Sequence, residues 1–125
     1  IGIELNEQSV KEAIENAKRN QINNVRYLSG DALDWAKRSD WQSTVGTPDV
    51  IITDPPRAGM HPDLVTFLME RLSPIIVYIS CDPMTLARDL SQLKEVYDVK
   101  SIQPVDMFPQ TYHIENVCLL HRKIS

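Results

Sequence analysis

Cysteine is almost missing from this chain. Cys81 and Cys118 are the two in 125 residues, too few for a disulfide framework and at no zinc-ligand spacing. Nothing else in the sequence supports a bound metal. A basic excess is missing as well: 13 Lys and Arg stand against 17 Asp and Glu, a formal net charge of −4. That argues against a freestanding nucleic-acid-binding domain, whose affinity rests on neutralising phosphates. An acidic segment can still hold chemistry when another part of the protein grips the backbone. No apolar run approaches the roughly 18–20 residues of a membrane helix, and no basic-then-apolar leader opens the chain. These absences predict no membrane association and a reducing cytoplasmic setting. Glycine is scarce, with four residues and no Gly-x-Gly among them. What remains is 42% apolar and 24% charged, the make-up of an ordinary globular domain of one core.

Periodicity then supplies the elements. Ile1-Gly2-Ile3-Glu4-Leu5 reads as a strand. Asn6 to Gln21 reads as a helix, with Val10, Ala13, Ile14 and Ala17 on one face and Asn6 as its N-cap. Val25–Leu28 reads as a strand, Ala32–Arg38 as a short helix and Ser39–Pro48 as a surface loop. Asp49–Thr53 and Ile75–Ser80 are nearly unbroken apolar, β-branched runs, as in strands covered on both faces. Pro62–Leu72 is helical, and Asp82-Pro83 caps and opens a helix to about Tyr97. Two strands at about Val99–Met107 and Ile114–Arg122 close the chain as an antiparallel hairpin. The order βαβαβαβαββ predicts an α/β sheet with helices on both faces.

Ligands in such sheets sit beyond the carboxyl ends of the strands. Four polar residues end four successive predicted strands: Glu4, Asp31, Asp54 and Cys81. Glu4 suits both hydroxyls of a cofactor ribose, or is a solvated helix-entry residue. Asp31, after Gly30, suits an adenine amino group, or is a turn residue. Asp54-Pro55-Pro56-Arg57 is a stiffened loop that fixes one carboxylate and presents a rim to a flat base. Arg57 carries a planar fork for phosphate or carboxylate. Cys81 follows a buried strand and precedes a helix whose N-terminal amides favour an anion, the placement of a nucleophilic thiol. Asp82 opposes that charge. Cys118, inside Val117-Cys118-Leu119-Leu120, reads as a bland buried cysteine. Glu115 reads from the residues alone as a strand glutamate that would serve as a general base if brought near Cys81, and His113 as a structural residue.

Five stretches resemble the RNA uridine-C5 (5-methyluridine) methyltransferases, in that family's order: Gly2-Ile3-Glu4, Gly30-Asp31-Ala32, Asp54 to Gly59, Tyr78 to Leu90 with its Ser80-Cys81-Asp82-Pro83, and Val105 to Glu115 with its Asp106-Met107-Phe108-Pro109. The resemblance implies a Rossmann-like class I methyltransferase sheet ending in an antiparallel hairpin, S-adenosylmethionine as cofactor, and a ribosomal or transfer RNA as partner. It implies that Cys81 attacks C6 of the uridine and Glu115 removes the C5 proton. Glu4 and Asp31 would hold the cofactor, Asp54 would lie between cofactor and target base, and Arg57 would bind substrate. The same resemblance implies that residues 1–125 are a partial methyltransferase domain, the C-terminal catalytic part of a longer protein. Its sheet would lack its first strand, and the chain would be inactive alone. Open strand edges at that gap would recruit a second copy, giving a dimer. The rival readings are a noncatalytic nucleic-acid-binding module and a methyltransferase acting on another base.

Overall fold

Asn6 ends one element and begins the next. In the computed structural model, which describes residues 1–124, its side-chain oxygen accepts from the amides of Gln8 and Ser9, two of the donors a helix start leaves unpaired. Strand β1 (Gly2–Glu4) therefore hands over at once to helix α1 (Glu7–Arg19). Strand β2 (Tyr27–Ser29) returns parallel to β1, with Glu4 beside Ser29. Asp31 caps helix α2 (Ala32–Ala36) through the amides of Leu33 and Asp34. A further short helix, α3 (Trp41–Thr44), lies where a loop was predicted. Its polar sequence has no helical stripe; burial of the Trp41 ring holds it in place. These elements make one unit, Ile1–Gly46.

A second unit begins at Thr47. It contains strand β3 (Val50–Thr53), helix α4 (Pro62–Arg71), strand β4 (Ile75–Ser80), helix α5 (Pro83–Leu93), and the strands β5 (Tyr97–Val105) and β6 (Glu115–Arg122). The sheet order is β3-β4-β6-β5: β3 and β4 run parallel, while β6 is antiparallel to both of its neighbours. The last hairpin thus folds back so that its second strand, not its first, lies against β4. Helix α5 ends four residues earlier than predicted. Tyr97 begins a strand instead, its ring buried and its hydroxyl donating to the carbonyls of Leu68 at 3.3 Å and Ser73 at 3.0 Å. Those tertiary bonds override the local helical pattern.

The core of this unit lies on one side of the sheet. Ile76, Tyr78 and Ser80 of β4, and Asn116, Cys118 and Leu120 of β6, are buried. They meet Val65 and Leu68 of α4 and Leu86 and Leu93 of α5, also buried. Each large apolar side chain so removed from water contributes roughly 1.5–3 kcal/mol. The opposite face departs from the expectation of strands covered on both sides and of helices on both faces. Ile75, Val77 and Ile79 are only half-buried, and Ile52 of β3 is 67% exposed. Helices α4 and α5 both pack on the Tyr78 side, and among the described residues of this unit no helix covers the other. At the outer edge, β5 carries Pro104, which has no amide proton to offer a further strand.

Candidate active site

The turn after β4 is built around Cys81. The Ser80 hydroxyl donates to the Asp82 carbonyl at 2.8 Å and accepts from the Asp82 amide at 3.1 Å, so the chain on either side of Cys81 is tied together. The Cys81 thiol itself is half-buried. Asp82 then caps α5: its Oδ1 accepts from the amides of Met84 at 2.8 Å and Thr85 at 3.3 Å, and its Oδ2 lies 3.5 Å from Arg57 Nε. The two amides, and after them Arg57, hold this carboxyl below the usual carboxylate range. The negative charge that opposes an anion at Cys81 is thus already engaged by three donors.

Register fixes the neighbouring strand ends. The β4–β6 ladder runs from Ile75 opposite His121 to Ser80 opposite Asn116. The ladder ends there: Cys81 is the next residue after β4, and Glu115, half-buried and opposite Val105, is the first residue of β6. Asp54 follows β3, where Thr53 lies beside Tyr78 of β4. Asp54, Cys81 and Glu115 therefore lie at the same end of three neighbouring strands. Cys118 is on the ladder too, but fully buried, and burial pushes its thiol pKa up.

The loop 54–61 is fastened to α5 by a buried carboxylate. Asp89 Oδ2 accepts from the Tyr78 hydroxyl at 2.6 Å and from the Met60 amide at 2.8 Å. Its Oδ1 accepts from Arg88 Nε and Nη2 at 2.9 and 2.8 Å, and Arg88 also donates to the carbonyls of Ala58 and Met60. Thr85 Oγ1 reaches the Arg57 carbonyl at 3.1 Å. Gly59 has φ +79°, and a Cβ there would stand 2.5 Å from Arg88 Nη2 and 2.8 Å from Asp89 Oδ2. Burial and the Asp89 carboxylate push the Tyr78 phenol far above its ordinary pKa, so it remains a donor. The position of the Asp54–Arg57 rim relative to the Cys81 turn is set by these bonds, and the sequence reading passed over Asp89. The signal was there: Leu86, Asp89 and Leu93 share one helical face, and an acid on an apolar face needs partners.

In the first unit, Glu4 and Asp31 end adjacent parallel strands, and the Gly30 amide donates to the Glu4 carbonyl at 3.0 Å. Glu4 Oε1 accepts from the Asn6 amide at 2.8 Å. Both capping bonds of Asp31 fall on Oδ1. A shallow open cavity of about 190 Å³ beside them is lined by Ser29, Gly30, Asp31, Asp34, Trp35 and Arg38. That is smaller than the roughly 300–1,000 Å³ of a whole ligand site.

Over residues 1–123 the chain matches the family described as tRNA (Uracil-5-)-methyltransferase. It belongs to that family. An uncharacterized RNA methyltransferase of Bacteroides thetaiotaomicron is 49% identical over 120 residues, 96% of this chain and 26% of the relative. The crystal structure of the Pyrococcus abyssi tRNA (uracil-54, C5)-methyltransferase in complex with S-adenosyl-L-homocysteine is similar with a TM-score of 0.80 and 36% identity, over 95% of this chain and 28% of that one. An rRNA methylase of Streptococcus thermophilus, with a TM-score of 0.69 and 11% identity over 98% of this chain and 72% of that one, shows the fold alone. The fold is thus the Rossmann-like methyltransferase fold, as the sequence predicts. The chain spans about a quarter of the length of the curated relatives it matches. No helix among the described residues is long and apolar enough to cross a membrane. The chain places Asp54, Arg57, Cys81 and Glu115 in one unit and Glu4 and Asp31 in the other.

Proposed function

We propose that this chain carries the catalytic residues for methylation at C5 of a uridine in ribosomal or transfer RNA, with S-adenosylmethionine as donor and Cys81 as covalent nucleophile. The observation that supports this reading is that Cys81 follows β4 and Glu115 opens β6 just past the last matched pair of those strands, Ser80 and Asn116. The donor's fit rests on the paired ends of β1 and β2: the Glu4 carboxylate would hold the ribose hydroxyls, and Asp31 the adenine amino group at the cavity beside Trp35. When bound, S-adenosylmethionine supplies an electrophilic methyl group.

The remaining work falls on the chain's own residues. Cys81 Sγ adds to C6 of the uracil, forming an S–C6 bond and pushing the C5–C6 electron pair through C4 onto O4, which makes C5 nucleophilic. Once C5 is methylated, Glu115 takes its proton, the electron pair re-forms the C5–C6 double bond, and the sulfur leaves as thiolate. Covalent addition divides one hard step into easier ones. Asp54, on the neighbouring strand end, lines the base pocket, and Arg57 faces the RNA. The target uridine must leave its stack, which costs roughly a few kcal/mol and is cheapest in a loop.

The activity belongs to the protein at the length of its relatives, and an RNA substrate puts it in the cytoplasm. The isolated chain is a partial domain that binds donor weakly and does not turn over, and its open strand edges favour pairing with a second copy. The decisive experiment offers 5-fluorouridine RNA to the protein as its gene encodes it. Fluorine at C5 blocks proton removal, so a stable protein–RNA adduct accumulates that Cys81→Ala abolishes. An adduct that survives Cys81→Ala, or that maps to Cys118, refutes the mechanism.

A further inference from the structure

The connection from β5 to β6 exposes large apolar side chains beside the nucleophile. Met107 and Phe108 are mostly exposed, Tyr112 is 85% exposed, and Met84, two residues past Asp82, is 79% exposed. Single exposed apolar residues are ordinary; several on the segments bounding one site mark an interaction surface. The loop is nevertheless built. The Thr111 amide and hydroxyl both donate to the Phe108 carbonyl at 2.9 Å, and the His113 amide donates to Thr111 Oγ1 at 3.2 Å. The Tyr112 and His113 rings lie 4.4 Å apart at 40°. Arg57 Cζ stands 5.9 Å over the Tyr112 ring, while its Nε contacts Asp82, the residue next to Cys81. Three chain segments thus converge through one guanidinium: the loop after β3, the turn after β4 and the loop before β6.

We propose that Tyr112, backed by Arg57, is a stacking platform for the unpaired nucleotide that neighbours the reacting uridine. The inference rests on the function proposed above and names how that site holds its RNA. A uridine drawn out of its stack leaves its neighbour without a stacking partner. An exposed phenol ring restores one, because every base offers a flat π-face to an aromatic side chain. Arg57 serves the same occupant by steadying the ring from the side it covers and by setting a cation, shared with Asp82, beside the site. This also gives an acidic chain a local cation where a nucleic acid would need one.

The test uses the protein as its gene encodes it, with 5-fluorouridine-substituted tRNA and rRNA transcripts as probes. The readout is the RNA concentration for half-maximal Cys81 adduct. Tyr112→Ala is expected to raise it about tenfold, the scale of losing one stacked base. Tyr112→Phe and Tyr112→Trp are expected to stay within about twofold of the parent, since either ring stacks. S-adenosylmethionine affinity measured without RNA should not follow the ring. A parent that forms the adduct while Tyr112→Ala saturates at the same RNA concentration overturns the platform and leaves the proposed function standing. Equal impairment of Tyr112→Ala and Tyr112→Phe overturns it in favour of the hydroxyl. A change in sedimentation in place of RNA dependence overturns it in favour of self-association. A parent that forms no adduct with any transcript brings down the function and the platform together.

Discussion

In the unit Ile1–Gly46 the carboxylates bond to their near neighbours in sequence: Glu4 to the amide two residues on, Asp31 to those two and three on, Asp40 to Arg38. In the unit that begins at Thr47, Asp89 binds groups 11 and 29 residues away, and Asp82 meets Arg57 across 25 residues of chain. The two patterns do different physical work. Local bonds shape a turn and leave the rest of the carboxylate exposed. Distant bonds fix one segment against another, which is what the proposed covalent reaction would need of Cys81, Glu115 and the Asp54–Arg57 rim. The first unit holds its carboxylates by local bonds, and the second also uses bonds between distant segments.

The two cysteines break this comparison most sharply. Cys81→Ala is expected to lower methyl transfer on the order of a thousandfold or more, while Cys118→Ala costs roughly 1 kcal/mol of stability and leaves the adduct intact. Comparable losses from both would show that position at the strand end decides nothing. Next comes the distant network. Asp89→Ala strands the Tyr78 hydroxyl and the Met60 amide in the core, and urea unfolding should register a loss of roughly 3 kcal/mol. A loss below about 1 kcal/mol, the worth of one ordinary exchanged hydrogen bond, would make Asp89 a local residue like those of the first unit.

A smaller effect is expected at Gly30. Its φ is +138°, and a Cβ there would stand 2.8 Å from Trp35 Nε1. Thermal unfolding of Gly30→Ala should show a loss of roughly 1–2 kcal/mol. The smallest effect is one of acidity. The folded pKa of Asp82 lies below its ordinary 3.8, so its stabilisation is complete above that value and fades as pH falls through the lower folded one. Asp82→Asn, which keeps a capping oxygen, should flatten this acid limb in a circular-dichroism titration. An unchanged limb would show that the Arg57 contact and the α5 cap do not respond to this charge.

Much of this arrangement is legible in the chain. Asn6 and Asp82 announce their helices because a short polar acceptor precedes an apolar stripe. The runs at Val50–Thr53 and Ile75–Ser80 announce strands because β-branched residues fit a pleated surface. The candidate site is half legible. Glu4, Asp31, Asp54 and Cys81 stand at or just past predicted strand ends, but the position of Glu115 near the end of β4 follows only from β6 lying between β4 and β5. That order is a long-range fact with no local signal. Tyr97 and α3 escape for the same reason, since tertiary burial decides both. Asp89 was readable on a helical wheel.

Pro104 has a consequence for how this sheet joins anything else. With a proline in β5 guarding one border, and β3 offering Val50, Ile51 and Ile52 with neither proline nor charge among them at the other, growth of the four-stranded sheet is one-directional. Any strand added to this sheet would meet the smaller obstacle along β3, whose last residue, Thr53, precedes Asp54.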